Sequence, residues 1–154
     1  MRTIGLHNTP KNRAKRRGSG LVEFALVCPV LITLLLGIME FGLLARDNLT
    51  LANAAREGAR SGSLGATKAQ INKRVTSAAA PLSLTADKGG RIDIEQSVDG
   101  TTYTTAPDDM VSSNAVPQGH LLRVTIVAKH LSLTGFFPFL KDKEIHGSAT
   151  FRKE

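Results

Sequence analysis

The chain is short of the residues on which several classes of protein depend. Tryptophan is absent, there is one tyrosine, and Cys28 is the single cysteine. One cysteine excludes an intrachain disulfide and a cysteine-rich zinc fold. The scarcity of aromatic side chains argues against a surface that stacks nucleobases. With 154 residues, the chain is long enough for one modest domain.

Acidic residues are missing from the first 20 positions. Six of the 20 bases lie there, so the other 14 bases face all 13 acids of the chain. Most of the formal charge of +7 therefore belongs to an N-terminal tail, and the rest of the chain is nearly neutral. Since a nucleic-acid-binding domain carries its bases on the folded surface, the sequence predicts no nucleic-acid partner. The six bases are Arg2, Lys11, Arg13, Lys15, Arg16 and Arg17.

A long apolar run follows this tail. Residues 24–39 carry no charge, and the run extends over 21–44 if Glu23 and Glu40 are tolerated near its ends. As a helix, those 24 residues would span about 36 Å, against a hydrocarbon core of about 30 Å. A segment that is apolar on every face has no side to present to water, so we expect a transmembrane helix rather than a buried helix of a soluble domain.

The charges that flank the run predict its orientation. Six bases precede it, whereas Arg46 and Asp47 cancel just beyond it. Bases near a span stay on the cytoplasmic side, so the N-terminus is expected to be cytoplasmic and the C-terminal part extracytoplasmic. A cleaved secretory signal is the alternative, but it has a shorter apolar region and a small-x-small site, which is not evident here.

The junction of tail and span carries a lone carboxylate. Glu23 stands five residues after Gly18 and is followed by Phe24. An unpaired carboxylate costs about 2–4 kcal/mol near the centre of a membrane and less at its surface. Two interpretations stay open: Glu23 is hydrated at headgroup depth without a specific role, or it pairs with another charged group.

This junction resembles the processing site of type IV prepilins. More narrowly, residues 16–62 resemble the TadE-like minor pilins of the Tad (Flp) pilus system. The shared features are G-x-x-x-x-E-F at the junction, Pro29 in the apolar run, Glu-Phe-Gly at 40–42 and Asn-Ala-Ala-Arg-Glu-Gly-Ala-Arg at 53–60. Residues 148–152 weakly resemble the terminal strand of the family.

The resemblance implies a pseudopilin of the bacterial inner membrane. A prepilin peptidase would cleave after Gly18 and leave Ser19 as the mature N-terminus, with Glu23 at the fifth position and Phe24 beside it. In type IV pilins this glutamate is held to pair with the amino terminus of the adjacent subunit. Cleavage after Gly20 stays possible. The implied partners are the prepilin peptidase, a sister pseudopilin, the inner-membrane pilus platform and membrane lipid.

The expected organisation is a basic leader at 1–18, a transmembrane helix at 19–44 and an extracytoplasmic domain at 45–154. Apolar spacings of three and four predict that the first helix continues to about Ser61, where Gly62 and Gly65 stop it. Thr67 is expected to be the N-cap of a short helix. The apolar face of that helix would comprise Ile71, Val75 and Ala78 or Ala79.

Alternating residues then predict strands at 91–97, 120–129 and 144–152. Asp99-Gly100 is a two-residue hairpin signal before a strand at 101–105. Residues 106–118 are expected to be a surface loop. The cluster Phe136-Phe137-Pro138-Phe139 could contact lipid or a partner, but we favour the alternative that it packs in the core or in a turn. The predicted fold class is α+β: a long helix, a small helix and an antiparallel sheet.

The sequence shows no recognisable site for chemistry. His130, His146 and Asp108 could converge in the fold, although a solvated role is favoured for each, and Asp108-Asp109 is typical of a turn. The other two histidines, His7 and His120, also stand without the spacing of metal ligands. We therefore expect no enzyme, no cofactor and no metal, and a structural role in pilus assembly. An uncleaved, signal-anchored envelope binding protein and a membrane-tethered enzyme are the alternatives.

Overall fold

The computed structural model of the protein describes residues 14–80, 82–85, 89–107 and 116–154, with side chains from Gly18 onwards. Asp108-Asp109 and most of the expected loop at 106–118 lie outside the described residues. Contacts between residues divide the chain into two units, Met1–Ile38 and Met39–Glu154.

The first element, helix α1, spans Ala14–Ser63 and includes Pro29. It ends with a C-cap in which the Ala66 amide donates to the Ser61 carbonyl and the Gly65 amide to the Gly62 carbonyl, both at 3.1 Å. Gly65 adopts a φ of +93°, which glycine reaches without a steric cost. The prediction that Gly65 stops the helix is thus confirmed, whereas Gly62 does not stop it. Gly62 lies inside the helix because its missing side chain makes room for Leu122.

A second helix, α2, spans Lys68–Ala78 and begins at the predicted N-cap. The Thr67 hydroxyl accepts from the Gln70 amide, while the Gln70 side chain accepts from the Thr67 amide. This reciprocal capping box satisfies two backbone donors that a helix start leaves unpaired. The buried face comprises Ile71, Val75 and Ala79, so the alternative with Ala78 is wrong.

The described residues form one antiparallel sheet of four strands, β1 Arg91–Ser97, β2 Thr104–Thr105, β3 Leu121–Lys129 and β4 Glu144–Arg152. Their order in the sheet is β2-β1-β3-β4. The predicted bounds of the first and last strands agree with the structure, and the α+β class is confirmed. In the central strand, Leu122, Val124, Ile126 and Ala128 face the core, as their alternation predicted.

The connection between β1 and β2 is wider than predicted. Gln96 pairs with Thr104, and the six residues 98–103 join the two strands, so the prediction of a two-residue hairpin is wrong. The cause is Asp99, whose carboxylate accepts hydrogen bonds from the amides of Thr101 and Thr102 and from the hydroxyls of Thr101 and Ser97. These donors stabilise a broad loop, and they hold the pKa of the Asp99 carboxyl well below its usual range.

The core lies between the C-terminal half of α1, α2 and one face of the sheet. Small residues of α1 permit this close packing. A Cβ on Gly58 would lie 2.4 Å from Val75 Cγ2, and one on Gly147 of β4 would lie 2.4 Å from the Leu51 carbonyl carbon. Helix α1 therefore approaches both α2 and β4 at distances that only glycine allows. Ala54, Ala55 and Ala59 are fully buried on the same side of α1.

Candidate functional site

The apolar part of α1 exposes its side chains on every side. Leu21, Phe24, Leu26, Leu34 and Ile38 are each at least 60% exposed. Among the described residues, one helix is long and apolar enough to cross a membrane, judged by length and composition, and its apolar window is unburied. Apolar side chains on all faces require a lipid or protein environment.

The predicted processing residues lie at the start of this exposed stretch. Gly18, Ser19, Glu23 and Phe24 are all exposed and helical. Nothing lies within 4 Å of the position that a Cβ would occupy on Gly18 or on Gly20. Helix packing therefore gives no reason for glycine at either position, where it lowers helix stability by about 1 kcal/mol relative to alanine.

A buried cluster of ionisable side chains lies within the unit Met39–Glu154. Glu40 and Asp47 lie seven residues apart on α1, so both face the same side of the helix. His130, which directly follows β3, lies between them: its Nδ1 is 2.8 Å from Asp47 Oδ2, and its Nε2 is 3.6 Å from Glu40 Oε1. Glu40 and His130 are almost completely inaccessible to solvent.

Thr134 supplies further hydrogen bonds to this cluster. Its hydroxyl and its amide donate to Glu40 Oε2 at 3.2 and 3.4 Å. Within the described part of the chain, Glu40 Oε1 and His130 Nε2 have no hydrogen-bond partner, and these two atoms face each other. The imidazole of His130 thus shares one hydrogen bond with Asp47, through Nδ1. The cluster therefore ties the loop after β3 to α1.

This cluster corrects the interpretation of His130 as a solvated residue. No motif in the sequence pairs His130 with Glu40, which stands 90 positions earlier in the chain. One signal was available: Glu40 interrupts an apolar helix, and Asp47 repeats the charge on the same face two turns later. His146 is exposed, so it does not join His130.

The geometry of the cluster does not resemble a metal site. The two ring nitrogens of His130 point in opposite directions, so Glu40 and Asp47 lie on opposite sides of the ring rather than around one point. No group of three His, Cys, Asp or Glu side chains in the described ranges is arranged to hold a metal ion.

The loop after β3 also carries the aromatic cluster. Phe136 and Phe139 are 55% and 68% exposed, and the ring of Phe137 makes edge contacts with both, at centroid distances of 5.4 and 5.8 Å. The interpretation that these aromatic side chains pack in the core is therefore wrong for Phe136 and Phe139. A 3-10 turn at Pro138–Leu140 ends the cluster, with Leu140 buried.

The fold class is thus α+β, and the described part of the chain carries one candidate membrane-spanning helix, near the N-terminus. Residues 18–60 match the model of a family described as TadE-like protein. The resemblance inferred from the sequence is thereby confirmed over the apolar run and the 53–60 segment. Comparison with curated proteins and with solved structures gives no match.

Proposed function

We propose that the protein is a prepilin-like membrane subunit of a Tad/Flp-type pilus assembly or secretion machine. The observation that carries this proposal is the match of residues 18–60, which covers the exposed apolar helix and the junction with Glu23. In this role the helix crosses the bacterial inner membrane once. The N-terminus is cytoplasmic, because six bases precede the apolar run, and the C-terminal domain is extracytoplasmic.

Processing after Gly18 would change the charge of the helix start. It removes all six bases of the leader and creates an α-ammonium group on Ser19. Glu23 stands four residues further along the helix, so its carboxylate lies on the same side as the new amino group. An ion pair within the chain, or with a neighbouring subunit, would lower the cost of placing Glu23 at the membrane.

The 53–60 segment supports a structural rather than a catalytic role. Ala54, Ala55 and Ala59 are buried against the domain, while Arg56 and Arg60 are exposed. Glu57 forms an ion pair with Arg74 of α2 at 3.1 Å. The residues shared with the family thus attach the domain to its helix. The proposed partners are a prepilin peptidase, a sister pseudopilin and the inner-membrane platform.

Mass spectrometry of the protein from the cell envelope tests the proposal. The unmodified chain is expected to begin at Ser19, whereas Gly18→Leu is expected to keep the leader and begin at Met1. Gly20→Leu is the matched control and should still be cleaved. Nothing lies within 4 Å of a Cβ at either position, so the two substitutions are matched in their local environment.

Two other outcomes would change the assignment. If Gly20→Leu blocks cleavage and Gly18→Leu does not, the processing site follows Gly20. An envelope form that retains Met1 in the unmodified chain would refute prepilin processing and favour the signal-anchored binding protein.

A further inference from the structure

We propose that the loop formed by residues 131–139 is a second membrane contact, which inserts apolar side chains into the lipid interface at the C-terminal end of the apolar run. This inference rests on the proposed membrane span. It assigns a lipid-binding surface to the domain itself, separate from the helix.

The first observation is a concentration of exposed apolar side chains. Leu131, Leu133, Phe136 and Phe139 are 84%, 66%, 55% and 68% exposed, within nine consecutive residues. Elsewhere in residues 42–154, the exposed large apolar side chains of the described part are scattered singly, at Leu49, Leu64, Val98 and Phe151. Single exposed apolar residues are ordinary, whereas a contiguous apolar patch marks an interaction surface.

The second observation is the position of the loop along the chain. Thr134 donates two hydrogen bonds to Glu40, and Glu40 directly follows Met39, the last residue of the uncharged run. A helix rises about 1.5 Å per residue, so Glu40 lies at the end of the run by connectivity alone. The loop that binds Glu40 is held at the same level, where the hydrocarbon core meets the headgroups.

The charges around the loop fit a lipid surface. Residues 130–140 contain no Asp, Glu, Lys or Arg, and exposed lysines stand on both sides, at Lys129, Lys141 and Lys143. The acids beside them are Asp142 and the exposed Glu144, so residues 129–144 carry a formal net charge of +1. Lysines beside an apolar patch can contact lipid phosphates while the apolar side chains enter the acyl boundary. Charge complementarity therefore favours an anionic leaflet as the occupant.

Several backbone amides of the loop are hydrogen-bonded within the loop itself. The Gly135 amide donates to the Ser132 hydroxyl at 3.0 Å, and the Phe136 amide donates to the Thr134 hydroxyl at 3.3 Å. The Leu140 amide donates to the Phe137 carbonyl at 3.0 Å. Donors that are satisfied internally reduce the cost of leaving water. His130 and Leu140, buried at the two ends, anchor the loop to the domain.

Tryptophan fluorescence can test this contact without background, because the chain has no tryptophan. The full chain is reconstituted into vesicles of phosphatidylethanolamine and phosphatidylglycerol, with and without brominated acyl chains. Phe136→Trp and Phe139→Trp report on the loop, and Leu31→Trp reports on the span. Val98→Trp is the exposed control beyond Ser97, and it stands at the opposite end of the sheet because Ser97 pairs with Leu121.

Brominated lipid should quench the loop reporters at least about twofold more strongly than Val98→Trp, since interfacial side chains reach about 5–10 Å into the acyl boundary. Loop reporters quenched no more than Val98→Trp, with Leu31→Trp strongly quenched, would overturn the loop contact and leave the span intact. An unquenched Leu31→Trp would refute the span and the inference with it. Blue-shifted loop emission without quenching would show that the loop is buried against protein, in its own domain or in a second copy, and would also overturn the proposal. The two loop reporters are read separately, so a folding defect in one leaves the other to decide.

Discussion

His130 Nδ1 lies 2.8 Å from Asp47 Oδ2, although 83 residues separate them along the chain. The pair joins the end of the central strand to the helix that continues from the apolar run. On its other side, the same imidazole faces Glu40, so one ring separates two buried carboxylates. Removal of the ring would take away the hydrogen-bond partner of Asp47 and leave a cavity beside Glu40, which keeps its two bonds from Thr134.

We expect His130→Ala to destabilise the domain by about 3–5 kcal/mol, because a buried carboxylate loses its partner. Chemical unfolding of the full chain in detergent, followed by circular dichroism, measures the change. The matched control is His146→Ala, which removes an exposed histidine of the same sheet and should change the free energy of unfolding by less than about 0.5 kcal/mol. Equal effects of the two substitutions would show that the buried cluster contributes no stability.

The close approach of α1 to β4 predicts a strong effect at Gly147. A Cβ there would lie 2.4 and 2.5 Å from the carbonyl carbon and oxygen of Leu51, and a backbone cannot move aside as a flexible side chain can. Gly147→Ala should lower the free energy of unfolding by about 2 kcal/mol or more. The same unfolding experiment compares it with Ser148→Ala at the adjacent exposed position. A stability equal to that of the control would contradict the observed helix-to-sheet distance.

The Asp99 loop predicts a dependence of stability on pH. Hydrogen bonds, first from the Thr101 hydroxyl and then from the Thr102 and Thr101 amides, lower the pKa of Asp99. In the unfolded chain the pKa of an aspartate is about 3.9. The ionised Asp99 therefore contributes its full stabilisation above about pH 3.9, and this contribution is lost as the pH falls from there towards the lower pKa of the folded protein. We expect Asp99→Ala to lower Tm at pH 7, by an amount that shrinks below about pH 4.

Thermal unfolding at several pH values measures this difference. Asp142→Asn is a suitable control because Asp142 is exposed with a φ of +56°, a conformation that asparagine also tolerates. A loss of Tm in Asp99→Ala that stays constant down to pH 2 would contradict the role of the ionised carboxylate.

Glu23 is expected to act in processing or assembly rather than in folding. Its side chain is exposed and stands outside the core, so Glu23→Ala should leave the unfolding of the domain unchanged. The same substitution should reduce leader removal or incorporation into the assembly, as measured by immunoblotting of envelope and sheared fractions. Glu144→Ala removes another exposed carboxylate and serves as the control. Normal processing together with normal incorporation of Glu23→Ala would leave Glu23 without the proposed role.

Local patterns determined much of the architecture. The alternation in 91–97 and 144–152 predicted two strands with their observed bounds, because every second side chain of a half-buried strand must be apolar. Thr67 predicted the start of α2, since a hydroxyl at that position can accept from the first free amides. The length and the lack of charge of 24–39 predicted the helix that could span a membrane. Each of these signals depends on residues within one or two turns.

The tertiary structure decided what distant residues do to one another. Gly62 was expected to end the helix, but Leu122, 60 residues later, packs where its side chain would stand. His130 was expected in solvent, yet Asp47 and Glu40 bury it. A histidine or a glycine has the same local signature whether it is exposed or enclosed, because its environment is set by side chains from other elements. The sequence alone therefore determined the elements and the resemblance, while only the fold brought Glu40, Asp47 and His130 together and left the 131–139 loop exposed.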